Sequence, residues 1–507
     1  MTFGCSTLLC PDSQRHVQLQ PHAPLRGRVA SILLVAIVGF AGCDDATGPE
    51  QVVSVSITPA DTTILAGDPV TFEAIVEYHS GPGLPDSVVW SVSDVTVLSG
   101  PITEDGKARV IGLERGEAYV IAVINDEFVD SAEVTVVRPG DVRWRVEDPG
   151  FPTASGPAID ERGRVYTVRI DGAPGTLSAV TSAGLFLFSA PACWSDLSGS
   201  VLPDGTAYTT RADCLQRHTP DGSVEWRVEC GSSYGGVAVD GSGSVACLEE
   251  VLDPVSGIAE PVLIRISSDG TELWRVTLGQ RTDPTYRAAP VIASNGDIYV
   301  PWNADSYSEN RLSRVTANGT VVWTVPSPGF VDLASPALTE DRVVVSHEAA
   351  GVAVFDTSGA LIWAETWNPV QVSSPVVDAD GNIYVQSTFT LVSFTADGAL
   401  RWSADSLRSV ETARVGAPTL LTGEQLLVTC RNPGQVGDEL CAVNAADGSL
   451  LWRSAIGSHV EGSPAVASDG TIYTTTNLEL IALWSRVPPL SEGWPTGGGG
   501  MGRLRSQ

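Results

Sequence analysis

Apolar and polar residues alternate at period two through residues 52–138. Val53, Val55 and Ile57 point one way, and the alternation returns at residues 70–74, 88–90, 119–123 and 132–136. A period of two marks strands with one buried face. Turn residues punctuate the runs at Ala66-Gly67-Asp68, Gly81-Pro82-Gly83 and Glu104-Asp105-Gly106. Short strands at this spacing predict a β-sandwich, with Trp90 anchoring a core that has no cysteine pair.

From residue 139 the pattern becomes a repeat. A small polar turn supplies a glycine, and an aromatic ring follows four residues later. The step runs Gly184→Phe188, Gly222→Trp226, Gly270→Trp274, Gly319→Trp323, Gly359→Trp363, Gly398→Trp402 and Gly448→Trp452, at spacings of 38 to 50 residues. Self-similarity at such a period signals a repeat architecture. A second refrain, a small residue usually followed by Pro, opens an apolar strand eight times: Gly156, Gly199, Gly235, Ala289, Ser335, Ser374, Ala417 and Ser463 lead the copies. A Tyr-bearing strand often follows, as at Tyr166, Tyr208, Tyr299, Tyr384 and Tyr473, then a third strand such as residues 391–394, then the aromatic one. Four short strands per unit make a propeller blade. Trp144 precedes the first refrain, and the last copy, after Ser463-Pro464, lacks an aromatic strand. The simplest arrangement lets Trp144 complete the last unit, which joins the two ends and leaves no open sheet edge. The expectation is an all-β chain: an eight-bladed β-propeller over 139–495 behind an N-terminal sandwich over 52–138. Trp144, Phe188, Trp226, Trp274, Trp323, Trp363, Trp402 and Trp452 would each wedge between neighbouring blades.

These refrains, with the closing Glu492-Gly493-Trp494-Pro495, resemble the PQQ-like β-propeller family. That family includes quinoprotein alcohol dehydrogenases and a non-catalytic outer-membrane assembly lipoprotein. Residues 52–138 resemble a bacterial Ig-like domain of the group 2 kind, through Ile57-Thr58-Pro59, Leu65-Ala66-Gly67, Trp90, Gly116-Glu117-Ala118 and Val134-Thr135-Val136. Such modules in surface proteins are spacers or adhesive units. Arg26 and Arg28 precede an apolar run from Val29 that ends Phe40-Ala41-Gly42-Cys43. The run is too short to span a bilayer and suits an export signal. Its end resembles the lipoprotein lipobox, with Phe40 in place of the usual Leu, which implies lipidation at Cys43 and removal of residues 1–42. The long stretch before Arg26 leaves the true start codon open. Residues 43–51 read as a tether and 496–507 as a flexible tail.

The formal charge is −30 and Lys107 is the single lysine. Such acidity disfavours nucleic acid and anionic lipid headgroups. Quinoprotein dehydrogenases carry two adjacent cysteines over the quinone; no Cys-Cys occurs here, and the family's calcium ligands and catalytic Asp find no matching positions. The expectation is therefore no cofactor, no metal and no catalytic residue. Six cysteines fall in the repeats. Cys430 ends one strand and Cys441 starts the next, which suits a hairpin bridge; Cys193, Cys214, Cys230 and Cys247 allow three pairings, of which nearest-neighbour pairing is the simplest. Asp378-Ala379-Asp380-Gly381-Asn382 echoes the start of a calcium loop but has no Glu at the twelfth position, so it reads as a hairpin turn. His79, His218, His347 and His459 show no ligand spacing. The resulting picture is a monomeric, lipid-anchored protein of the bacterial cell envelope. Its propeller is expected to bind a protein or glycan without catalysis. The alternative is a propeller enzyme of quinoprotein or glycan-active type.

Overall fold

The computed structural model describes residues 52–492 and Thr496, apart from 84, 86, 125–126, 148–155, 170–174, 194–199, 212–213, 231–235, 253–257, 281–288, 306–308, 329–333, 348–350, 368–371, 406, 408–415, 432–436, 458–461 and 477. The signal segment, Cys43, the tether, His459, Trp494 and residues 497–507 lie outside the described residues. Every regular element among the described residues is a strand.

Residues 52–137 form two sheets. One contains Val52–Thr58, Pro69–Tyr78, Lys107–Ile111 and Ile102–Glu104; the other contains Asp61–Leu65, Phe128–Val137, Gly116–Ile124 and Val88–Val92. Their inner faces share one core of Ile57, Phe72, Val76, Trp90, Val110, Val120 and Val134. Two local expectations need correcting. Gly81–Gly83 is a short strand at the edge of Pro69–Tyr78, not a turn; Pro82 is tolerated there because an edge position does not need its N–H. Val53 is exposed, because a register shift between Val52 and Ser54 takes it out of the alternation.

The remaining strands make eight four-stranded antiparallel sheets. Their first strands begin at Ala158, Ser200, Ala238, Val291, Ala337, Val376, Thr419 and Ala465. Seven are meanders of consecutive strands. The eighth joins Ala465–Val466, Ile472–Thr475 and Glu479–Leu483 to a strand from the beginning of the repeat region, Val142–Glu147. Trp144 there pairs with Ala482. First strands touch between the first and second, the third and fourth, the fifth and sixth, and the eighth and first sheets.

The connections sort by side. First-to-second and third-to-outer turns are tight, closed by bonds such as Gly381 N–H to Asp378 O and Gly398 N–H to Thr395 O. They lie at one end of every sheet, here called the turn face. The longer connections lie at the opposite end, the loop face.

The Gly-to-aromatic phrase has a direct physical cause. Each ring lies against the glycine of the next sheet: Trp144 on Gly184, Phe188 on Gly222, Trp226 on Gly270, Trp274 on Gly319, Trp323 on Gly359, Trp363 on Gly398 and Trp402 on Gly448. Trp452 lies on Gly140, just ahead of Val142–Glu147, which returns the series to its start. At Gly398, φ is +89° and an added Cβ would stand 2.8 Å from the Trp363 ring, so both backbone and space demand glycine. The rings are half-buried apart from Trp402, at 9% exposure. Partial exposure remains because each ring is on the outer strand of its sheet.

Candidate functional site

The joins between sheets are polar as well as aromatic. Trp363 Nε1–H donates to Ala396 O at 2.9 Å, Trp402 to Ala445 O at 3.0 Å, and Trp144, Trp226, Trp274 and Trp323 do the same to the equivalent turn carbonyls. Arginines reach across in parallel. Arg314 donates to Thr357 O at 2.6 Å, Arg164 to Pro220 O at 2.8 Å and Arg401 to Ala445 O at 3.3 Å. Each arginine is anchored at its near end. Arg164 pairs with Asp160 at 2.6 Å, Arg314 with Asp297 at 2.6 Å, and Arg401 with Tyr384 Oη at 2.8 Å. The Tyr-bearing second strands thus serve the turn face: Tyr384 donates to Asp378 at 2.9 Å and Tyr166 to Asp160 at 3.2 Å. Burial, reinforced by the neighbouring carboxylates Asp160 and Asp378, raises the Tyr166 and Tyr384 hydroxyls far above the usual range; burial and Asp469 push Tyr473 up to about 12. Tyr166 and Tyr384 are held neutral as structural donors.

The small-residue refrain joins neighbouring sheets. Ala289 N–H donates to Ser335 Oγ, Ser335 N–H to Ser374 Oγ and Ala417 N–H to Ser463 Oγ, so a hydroxyl in one sheet satisfies a buried backbone donor of the sheet before it.

An open pocket of about 420 Å³ lies on the turn face between the fifth and sixth sheets. Its walls include Glu340, Asp341, Asp378, Asp380 and Glu492, with Arg342 as the cation. Arg342 is engaged by the Ala396 carbonyl. Asp378 commits both oxygens to its own hairpin: Oδ1 accepts from the Asp380 and Asn382 amides, and Oδ2 from Asn382 and Tyr384. The stretch that echoed a calcium loop is built as a turn. The pocket is electronegative and suits a cationic or N–H-rich group, but it pairs no nucleophile with a base.

Cys430 is bonded to Cys441, Cys193 to Cys214 and Cys230 to Cys247. Cys214 and Cys430 lie at loop-face ends of their strands, whereas Cys247 and Cys441 lie within theirs. Glu439 stands beside the Cys430–Cys441 bridge and accepts from Arg453 at 3.1 Å. That group is compact enough for an ion, yet with the sulfurs bonded it offers no thiolate. His218 is buried between Thr209 Oγ1 at 3.1 Å and the Gly222 carbonyl, and burial lowers its pKa. His347 Nε2 meets Ser327 Oγ at 3.0 Å.

Compared with known families, residues 211–388 and 390–486, more than half of the chain, match the family described as outer membrane protein assembly factor BamB. The chain belongs to this PQQ-like repeat family. Solved structures of similar fold include BamB from Moraxella catarrhalis (15% identity, 68% of this chain and 99% of that one, TM-score 0.49). Quinohemoprotein alcohol dehydrogenase from Comamonas testosteroni is also similar (10% identity, 69% and 78%, TM-score 0.51), as is Sqt1 from Saccharomyces cerevisiae (11% identity, 69% and 100%, TM-score 0.51). At these identities the likeness is one of fold. No curated protein matches the sequence.

What the family's repeat hid from a reading of the sequence is the partner of each polar group. Ala396 accepts from Trp363, 33 residues away, and also from Arg342, 54 residues away. No local pattern announces such pairs.

Proposed function

We propose that this protein is a lipid-anchored scaffold of the bacterial cell envelope, attached through Cys43, whose ring binds another envelope protein without catalysis. In this reading the eight sheets are eight blades of a ring closed by Val142–Glu147. The two-sheet unit is an Ig-like spacer, and the protein acts as a monomer. The observation that carries the reading is membership, over more than half of the chain, of the family described by an assembly factor of outer membrane proteins. It is supported by the chemistry of the joins: aspartate, arginine and tyrosine of several sheets are bound to one another and to neighbouring carbonyls. Closure is supported by the Trp452 contact with Gly140 and the pairing of Val142–Glu147 with Glu479–Leu483. The test is crosslinking in the native envelope, followed by mass spectrometry of the adducts and of Cys43. A diacylated Cys43 and a recurrent protein partner, lost in a Cys43→Ala chain, are expected. Recovery of nothing beyond the Cys43→Ala control overturns the reading.

A further inference from the structure

The inner strand of the seventh sheet, Thr419–Leu421, pairs on one side with Gln425–Cys430. Its sheet is joined to the eighth by Ala417 N–H to Ser463 Oγ and Thr419 Oγ1–H to Pro464 O, and on the closed-ring reading its other edge faces the axis. That edge is occupied. Leu490 N–H donates to Leu420 O at 3.1 Å and Thr422 N–H donates to Pro488 O at 3.0 Å. Antiparallel bridges join Leu421 to Pro489 and Thr419 to Thr496. Leu490 packs on the cluster of Leu420, Leu426 and Trp402, and Thr496 is 6% exposed. Thr496, expected in a free tail, is therefore a buried, paired residue. Leu421 is at the turn-face end of its strand and Thr419 at the loop-face end, so Pro489 meets the turn-face end and Thr496 the loop-face end. Glu492, between the two bridges, reaches the pocket beside the fifth and sixth sheets.

We infer that the axial edge of Thr419–Leu421 is an acceptor site for an extended peptide, filled in cis by a strap that includes Pro488, Pro489, Leu490 and Thr496. The chemistry is that of strand addition: backbone groups of an unpaired edge are satisfied by an extended segment, while Leu490 supplies the apolar anchor. The inference rests on the closed-ring reading above.

Hydrogen exchange on the full chain tests both and separates them. The Thr422 and Leu490 amides should exchange at least tenfold more slowly than amides in turns, and Leu490→Asp should remove that protection without altering Glu479–Leu483. Protected amides in Glu479–Leu483 with fast Thr422 and Leu490 would sink the strap and spare the ring. Fast exchange in Val142–Glu147 and Glu479–Leu483 would sink the ring itself. As a second readout, a fluorescent peptide of residues 487–500 should bind a chain truncated after Arg486 at least tenfold more tightly than the intact chain. Equal binding to both, or binding to neither, overturns the proposal.

Discussion

The contact between Trp402 and Gly448 makes a quantitative prediction about how neighbouring sheets are held together. Replacing Trp402 with Ala removes the most buried of the eight rings and a hydrogen bond to Ala445 O at 3.0 Å. The expected cost is ~3–5 kcal/mol. Trp402→Phe keeps most of the ring and loses the indole donor, at ~0.5–1.5 kcal/mol; Phe188 is the chain's own version of that change. Gly448→Ala acts from the other side. Its φ is +75° and the new Cβ would lie 2.7 Å from the Trp402 ring. The left-handed backbone costs ~1–2 kcal/mol, and crowding the ring adds ~1–3 kcal/mol. In the double variant the ring is gone and only the backbone penalty remains. The pair should therefore be less destabilising than the sum of its parts by ~1–3 kcal/mol. Urea unfolding followed by far-ultraviolet circular dichroism measures all four corners of the cycle. Additivity within about 0.5 kcal/mol would show that ring and glycine do not depend on each other, and the account of the repeat given above would fall.

Other consequences are open to measurement. Spectrophotometric titration should find the Tyr166, Tyr384 and Tyr473 hydroxyls protonated at pH 11 in the folded protein; because their folded pKa values lie above the unfolded value of ~10, stability is full below pH ~10 and declines as pH rises toward about 12 for Tyr473. His218 has the opposite sign: its folded pKa is depressed by burial, so its contribution is present above ~6.5 and lost on acidification, and His218→Gln should flatten the acid limb of a stability profile. Cys430→Ser with Cys441→Ser opens a bridge of sequence separation 11 and should cost ~2–4 kcal/mol by urea unfolding, while thiol titration of the exported wild-type protein should find none of its six repeat-region cysteines free.

How much of this was legible from the sequence differs by level. The strands were legible because their alternation is local, and the Gly-to-aromatic step was legible because glycine at positive φ and a ring four residues on are both fixed by one tight turn. The recipient of each ring was not, since Trp363 meets Gly398 and not its own Gly359. The small refrain residues marked only the opening of an apolar strand; their use, a hydroxyl offered to the previous sheet's amide, lies between residues 39 to 46 apart. The closing segment misled most. Residues 496–507, with their glycine run, read as a flexible tail, yet Thr496 is bridged to Thr419, and ahead of it Pro489 bridges Leu421 and the Pro488 carbonyl accepts the Thr422 amide. Nothing about residues 488–496 in isolation reports that a first strand far upstream has an empty edge.

The connection between the N-terminal unit and the repeat sheets carries a mechanical consequence. Strand Phe128–Val137 passes to Val142–Glu147 through four residues, and these are tied down: Gly140 N–H bonds Trp484 O, Trp484 N–H bonds Asp141 O, and Arg115 pairs with Asp141 at 3.3 Å. Arg486 reaches Asp68 at 2.6 Å. A pull delivered through the N-terminal unit thus arrives directly at the strand that clasps the two ends together. It runs along that strand toward the loop face's opposite side, so the pairings of Arg145, Val146 and Glu147 bear tension jointly, as in shear, and are not peeled open one after another.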